Sequence, residues 1–251
     1  MELYDQKFYE QYWNKRNSAT CWNAEFLYLR SLILDAIRTI PVSQINKIES
    51  ILDVGCGNGI ITALIADCFP QARVLGVDLS KNAIDIARRE FSRGNLQFEQ
   101  GDLAHQWPHE SRPFDMVTCF EVLEHVEQWE KALDLIAGTS RRYLLISVPV
   151  GRMRAHEVQG GHLRNFKRGQ IETFLGERKM TPVITFYAGF PFYSPIWRDL
   201  SLLLSRKDNK PTDQEIGPLL KMIFKCVYVS FRYLSTRNRF GEMFLALFEK
   251  K

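Results

Sequence analysis

The sequence predicts an α/β fold, a mostly parallel sheet covered by helices on both faces. Three observations predict it. Short runs rich in Val, Ile and Leu alternate with amphipathic stretches between residues 51 and 150. The first run stops abruptly on three closely spaced glycines, and acidic residues recur where the following runs end.

The elements follow in order. Residues 1–40 read as two helices, the first containing Tyr4, Phe8, Tyr9, Tyr12 and Trp13, partly at helical spacing. "ILDV" (51–54) is a buried strand, and "IITALIADCF" (60–69) is a helix ended by Pro70. "RVLGVDL" (73–79) is the second strand, and Ser80 is placed to cap the helix "KNAIDIARREF". "LQFEQGD" (96–102), "FDMVTCF" (114–120) and "YLLISVPV" (143–150) are three further strands, with the helical pattern "EQWEKALDLIAG" before the last of them. The polar, glycine-punctuated "GRMRAHEVQGGHLRNF" then reads as a loop, "KRGQIETFLGE" as a short helix and "TPVITFYAGF" as a strand. Two apolar helical stretches, "PIWRDLSLLL" and "GPLLKMIFKCVYVSFRYL", precede a closing strand, "GEMFLALFEK".

A chain of 251 residues, 45% hydrophobic and 25% charged, fits one sizeable domain with an appendage. The net charge of +4 is mild and the basic residues are scattered, which does not argue for a nucleic-acid partner. The five cysteines are odd in number, and no pair has C-x-x-C spacing, so neither a disulfide framework nor a zinc site is indicated. The polar, aromatic N-terminus lacks the apolar core of a signal peptide, so the expected compartment is the cytoplasm.

The chemistry gathers at one edge of the predicted sheet. In "ILDVGCGNGI" the glycines Gly55, Gly57 and Gly59 are spaced G-x-G-x-G, one residue short of the dinucleotide pattern G-x-G-x-x-G. A parallel strand ending in such a turn brings backbone N–H groups to the carboxyl edge, where open α/β sheets bind ligands. Asp78 ends the second strand, about 20 residues downstream, where a carboxylate can take a ribose diol. Asp102 follows the third strand and Glu121 the fourth. Four consecutive strands therefore deliver glycine or carboxylate to one edge.

In "ILDVGCGNG", "VLGVDLS", "LQFEQGDL" with "FDMVTCFEVLEHV", and "LLISVP", the chain resembles the class I S-adenosylmethionine-dependent methyltransferases, over residues 50–150. "GHLRNFKRGQIETFL" is similar to the segment before the sixth strand in the small-molecule branch of that family. The resemblance implies a Rossmann-like seven-stranded sheet whose last strand runs antiparallel. It implies that S-adenosyl-L-methionine is the cofactor and S-adenosyl-L-homocysteine its product. Asp53, Gly55, Cys56, Gly57 and Gly59 would line the methionine portion, with Cys56 a small loop residue and no nucleophile. Asp78 would bind the ribose hydroxyls, Leu79 would pack on the adenine, and Asp102 with the backbone of Leu103 would meet the adenine amino group. Phe120 and Glu121 would lie beneath the sulfonium, and the leading helix would fold over the cofactor as a lid. Asp53 has an alternative reading as a loop cap, Asp78 as a helix-terminal carboxylate, and His125 as a structural histidine.

Methyl transfer to an alcohol or ammonium calls for a base, and histidine suits that role. The loop "AHEVQGGHLRNF" offers His156, Glu157 and His162 beyond the fifth strand, with His162 equally readable as lid scaffold together with Arg164. H-E-x-x-x-x-H is not the zinc-hydrolase spacing H-E-x-x-H, and Gly160 and Gly161 would break a helix presenting both histidines, so no metal is expected. No N-P-P-Y or D-P-P-Y follows the fourth strand and no Pro-Cys pair occurs, which favours a small-molecule acceptor over nucleic acid.

The reading divides the chain into a lid segment, 1–40, a cofactor-binding core, 41–194 with 237–251, and a helical insertion, 195–236. In the insertion Lys221, Lys225 and Arg232 form one stripe of an otherwise apolar helix. Three charges argue against an ordinary membrane span and leave three roles: a cap over the substrate, a homodimer contact, or peripheral contact with the inner face of a membrane. The expected function is transfer of a methyl group to a small-molecule or lipid-like acceptor, on oxygen ahead of nitrogen. A non-catalytic cofactor-binding regulator and an NAD-dependent oxidoreductase are the alternatives.

Overall fold

The structure is a computed structural model and describes residues 6–14, 23–102, 113–200 and 217–251. Seven strands form one sheet: β1 (Ser50–Val54), β2 (Arg73–Asp78), β3 (Leu96–Gln100), β4 (Phe114–Phe120), β5 (Ser140–Pro149), β6 (Met180–Ala188) and β7 (Met243–Lys250). Their order is β3-β2-β1-β4-β5-β7-β6. The first five run parallel, and β7 is antiparallel to both β5 and β6. The α/β sheet is the one the sequence pattern predicted, and the reversed last strand is what the family resemblance implied.

The order reverses at β1, which lies between β2 and β4. Val54 pairs with Val77 on one side and Cys119 on the other, so the three strands end level. In an open parallel sheet the crevice beyond that reversal is where a ligand can enter.

Helices cover both faces: α1 (Gln6–Asn14), α2 (Ala24–Ile37), α3 (Val42–Ile45), α4 (Ile60–Cys68), α5 (Lys81–Glu90), α6 (Trp129–Thr139), α7 (Ala155–Gln159), α8 (Gln170–Gly176) and α9 (Pro218–Leu234). Two apolar cores result, one on each side of the sheet. Ile51 and Leu145 face α2 and α4; Leu52, Val117 and Ile146 face α6 and α8. The Ser80 hydroxyl accepts the Ala83 N–H, the cap the sequence predicted for α5.

Three segments differ from the sequence reading. Residues 151–166 are not wholly loop, because the Glu157 carboxylate accepts the Arg154 N–H at 2.6 Å and closes the first turn of α7. The stretch starting at Pro195 begins earlier, as a π-helical turn over Phe192–Trp197; the calls on residues 201–216 fall outside the described residues. Within residues 1–40 the two helices part company. α2 belongs to the core, with Tyr28, Leu32 and Ile33 fully buried, whereas α1 lies over the edge of the sheet. Tyr4 lies outside the described residues.

Candidate functional site

The glycine turn after β1 is held by β2: the N–H groups of Gly55 and Cys56 both donate to the Val77 carbonyl, at 2.8 and 3.0 Å. Gly55, Gly57 and Gly59 all have left-handed φ, +70°, +53° and +80°, so the chain must use residues without a Cβ. The three are constrained on different sides. A Cβ at Gly59 would meet Phe98 and Ala87 in the core, and one at Gly55 would meet Val122. A Cβ at Gly57 would come within 2.6 Å of the Trp13 ring on α1, so this glycine opens toward the leading helix.

Asp78 ties the turn to the end of β2. One carboxylate oxygen accepts the Gly57 N–H at 2.8 Å and the other the Ser80 N–H at 2.9 Å. Burial raises its pKa, and those two amide bonds draw it back down. Leu79 follows it, its carbonyl accepting the Gln100 side chain at 3.1 Å. Asp102 stands two residues beyond β3, half-buried; Leu103 lies outside the described residues.

Asp53 lies beneath the turn. Its two oxygens accept the hydroxyls of Thr118, at 2.6 Å, and Thr62, at 2.7 Å. Burial pushes its carboxyl up to about 6 in spite of both bonds. Neither oxygen holds a loop amide, so Asp53 supports the turn through α4 and β4 and not as its direct cap. Burial, followed by the Asp78 and Asp53 charges, raises the Cys56 thiol well above its ordinary range, which suits a packed side chain and not a nucleophile.

Beyond β4, Phe120 is buried and Glu121 takes a left-handed φ of +54°. The Glu121 carboxylate accepts the Ser147 hydroxyl from β5 at 2.7 Å, and burial raises its pKa. A short 3-10 turn, Leu123–His125, then points Glu124 inward. Glu124 is fully buried, and among the described residues neither of its oxygens has a hydrogen-bond partner. Burial and then the neighbouring Glu121 charge hold it well above the usual carboxylate range.

The three residues expected to include a base stay close in the chain, the His162 N–H donating to the Glu157 carbonyl at 2.9 Å, but their side chains have different partners. Glu157 caps α7 and forms a buried ion pair with Arg198, also accepting the Asn165 amide at 3.3 Å. That occupies it in structure and leaves it poorly placed to take a proton. His156 lies near Arg198 and Arg154; burial and then those two charges lower its pKa. His162 is directed elsewhere, its ring 4.7 Å from that of His125 and nearly perpendicular. Burial, then His125, lower its pKa to about 4, so both imidazoles of this pair are neutral near pH 7.

His125 was readable as purely structural, and it does bond Gly161, its Nδ1 2.9 Å from that carbonyl oxygen. The tautomer this selects carries its proton on Nδ1 and leaves Nε2 as an acceptor, 3.8 Å from Glu124 Oε1. The group that gathers is therefore Glu124, His125 and His162, whose ligand atoms all lie within 4.8 Å of one another, close enough to share a proton or a small cation. Glu124 carried no sequence signal beyond its place in "LEH"; only the turn after β4 aims it inward.

The leading helix covers this assembly. Tyr9 packs edge-on against His125 at 5.8 Å. Glu10 accepts the N–H groups of Lys81 and Asn82, at 2.7 and 2.9 Å, and the Ser80 hydroxyl at 3.0 Å, so α1 supplies a carboxylate to the start of α5. On the other side, Trp197 donates its indole N–H to Glu25 at 3.1 Å, and Tyr193 is buried beside Tyr28 and Phe231. Sequence reasoning missed this aromatic wall because its members come from three separated segments.

Sheet order, switch-point crevice and glycine turn define the class: a Rossmann-like α/β fold. Residues 51–141 match the protein-family model described as "Methyltransferase domain". The chain is similar to the ubiquinone biosynthesis O-methyltransferase of Azoarcus sp. (strain BH72), 37% identical over 96 residues, which cover 37% of this chain and 40% of that protein. It is also similar to the mitochondrial ubiquinone biosynthesis O-methyltransferase of Schizosaccharomyces pombe, 42% identical over 86 residues, 32% of this chain and 30% of that one. The matches thus span less than half of either relative. Among solved structures, magnesium protoporphyrin IX methyltransferase from Synechocystis PCC 6803 with bound SAM superposes with a TM-score of 0.59 at 15% identity, over 99% of this chain and 98% of the other. At that identity the likeness is one of fold. Among the described residues, no helix is long and apolar enough to cross a membrane.

Proposed function

We propose that the protein binds S-adenosyl-L-methionine and transfers its methyl group to a small-molecule or lipid-like acceptor, through oxygen in preference to nitrogen. The observation that carries this reading is the joint at the switch point: a carboxylate at the end of β2 bonded to the central glycine of a left-handed turn after β1, with α1 above both. When bound, the cofactor supplies an electrophilic methyl group on a cationic sulfur.

The residues fit such a ligand. Gly55, Gly57 and Gly59 allow close approach of a ligand to the backbone, and Asp78 is already oriented by two amides to meet a diol. Asp102 stands at the neighbouring strand end for the base. Glu121 and Glu124, whose ionised forms are disfavoured by burial, suit a positive charge brought beside them, because a nearby cation favours the ionised carboxylate.

For the acceptor the chain must orient an oxygen, exclude water and take up a proton. His162 and His125 are neutral and can accept one; Glu157, bound to Arg198, is better suited to holding the wall. The names of the two curated relatives support oxygen as the atom methylated, and the aromatic wall of Tyr28, Tyr193 and Trp197 supports an acceptor with apolar bulk.

The test is an equilibrium titration with S-adenosyl-L-methionine, S-adenosyl-L-homocysteine and NAD, followed by transfer of a labelled methyl group to a panel of phenols, catechols, alcohols and amines. Binding of both sulfur compounds with transfer to a hydroxyl supports the reading. Binding without transfer to any acceptor favours the regulatory alternative, and binding of NAD alone overturns the assignment.

A further inference from the structure

We propose that Glu124, His125 and His162 form a binding site for one divalent transition-metal ion. Their ligand atoms all lie within 4.8 Å of one another, and Glu124 Oε1 is 3.8 Å from His125 Nε2. A tetrahedral ion with bonds of about 2.0–2.2 Å spaces its ligands about 3.5 Å apart, so inward shifts of about 1 Å close the three around it. Glu124 is the observation that points to a ligand. Its side chain is fully buried, and among the described residues neither oxygen has a hydrogen-bond partner. A buried carboxylate is ordinarily paired with a cation or bound to a metal. Arg164 does not pair with it, because its guanidinium N–H groups go to the carbonyls of Leu123, Val126 and Glu127.

The histidines are oriented as ligands. His125 Nδ1 is 2.9 Å from the Gly161 carbonyl oxygen, which fixes the ring and leaves Nε2 free, the arrangement usual for metal-bound imidazoles. Gly161 directly precedes His162, so the turn that orients one ring also delivers the other, 4.7 Å away. Two imidazoles and one carboxylate set the class of ion. Imidazole suits zinc and its neighbours in the first transition row, whereas Mg2+ and Ca2+ prefer oxygen donors. Three protein ligands leave a further position open, the pattern of ions that act on a substrate. Glu124 lies three residues beyond Glu121, at the same strand end as the expected methyl donor. An ion there would hold an acceptor oxygen and lower the pKa of its hydroxyl, taking over the part assigned above to a histidine base. That role rests on the methyl-transfer reading; ion binding does not.

The test is equilibrium dialysis of the full chain, first stripped with chelator, against Zn2+, Co2+ and Mg2+, with neither cofactor nor acceptor present. Its failure therefore leaves the methyl-transfer reading untouched, and the failure of that reading leaves it untouched in turn. The chain should take up one equivalent of Zn2+ or Co2+, and the Co2+ form should show the visible absorption of a four- or five-coordinate ion. Mg2+ at the same concentration should not be retained. At free Zn2+ a hundred times Kd the melting temperature should rise by roughly 5–10 °C. Glu124→Gln and His162→Gln should each weaken the affinity more than a hundredfold. Glu124→Gln removes an unpaired buried carboxylate, so it should melt no lower than the metal-free parent, which separates lost binding from lost folding. His156→Ala, whose ring lies outside the three, should bind as the parent does. The proposal is overturned if no stoichiometric uptake occurs, if Mg2+ is taken in preference to Co2+, or if Glu124→Gln and His162→Gln bind as tightly as the parent.

Discussion

The Glu10 carboxylate of α1 lies 3.0 Å from the Ser80 hydroxyl, 70 residues along the chain, and the N–H of that same serine donates to Asp78 at 2.9 Å. One residue thus joins the covering helix to the carboxylate expected to hold the ribose. The cover and the floor of the crevice are therefore coupled.

Glu10→Ala removes three acceptor contacts at the start of α5, a loss of about 1–2 kcal/mol by analogy with a helix cap. Amide exchange over residues 6–14 should quicken, and affinity for S-adenosyl-L-methionine should fall about tenfold. Glu10→Gln keeps an acceptor oxygen and should show the smaller change. Unaltered exchange in the alanine variant would show that α1 is held by its aromatic contacts alone.

Asp78→Ala should weaken cofactor binding by about 1–3 kcal/mol, the size of a lost charge-assisted hydrogen bond. Titration calorimetry measures this directly. Two amides, Gly57 and Ser80, also lose their acceptor, so melting temperature should be followed in parallel. Undiminished affinity in a folded variant would count against the whole assignment.

The histidines make separable predictions. Burial holds His162 at about 4, so its proton is gone well below neutral pH and its readiness to accept one is constant from about pH 5 to 8. If it is the base, turnover should be flat across that range, with an acid limb near pH 4, and His162→Ala should cost roughly a hundredfold. His156→Ala, compared over the same range, tests the other imidazole. Should both variants keep full turnover, a histidine base is excluded.

Asp53 predicts how stability depends on pH. Its carboxyl is raised from 3.8 when unfolded to about 6 when folded, so the folded state binds the proton more tightly. That favours folding fully below pH 3.8, and the benefit is lost as pH rises through about 6, a change of roughly 3 kcal/mol. Asp53→Asn should flatten this part of the stability curve, measured by denaturant unfolding between pH 4 and 7. A slope unchanged by the substitution would place the titration elsewhere.

Much of the sheet was legible because each strand from β1 to β5 has its own apolar run and its own terminator. "FDMVTCF" matches β4 residue for residue, and Ser80 caps α5 as its position before "KNAIDIARREF" predicts. The carboxylates at the strand ends were legible for the same reason: in a parallel sheet, chain position sets which edge a strand end reaches. Contacts across the fold were not. Glu157 sits beside His156 in sequence yet turns to Arg198, 41 residues on, because the cap of α7 points it inward. The pairing of His125 with His162 depends on the 3-10 turn after β4 and the Gly161 carbonyl meeting in space, which no local pattern encodes.

The different neighbours of the three loop glycines have a genetic consequence. A side chain at Gly55 or Gly59 would collide with Val122, or with Phe98 and Ala87, on the core side of the turn. Such alleles should lower the amount of protein in the cell, since unfolded chains are cleared. A side chain at Gly57 would instead collide with Trp13 and displace the helix above it. That allele should leave protein abundance largely intact and silence what the protein does, so one motif can yield two kinds of loss-of-function phenotype.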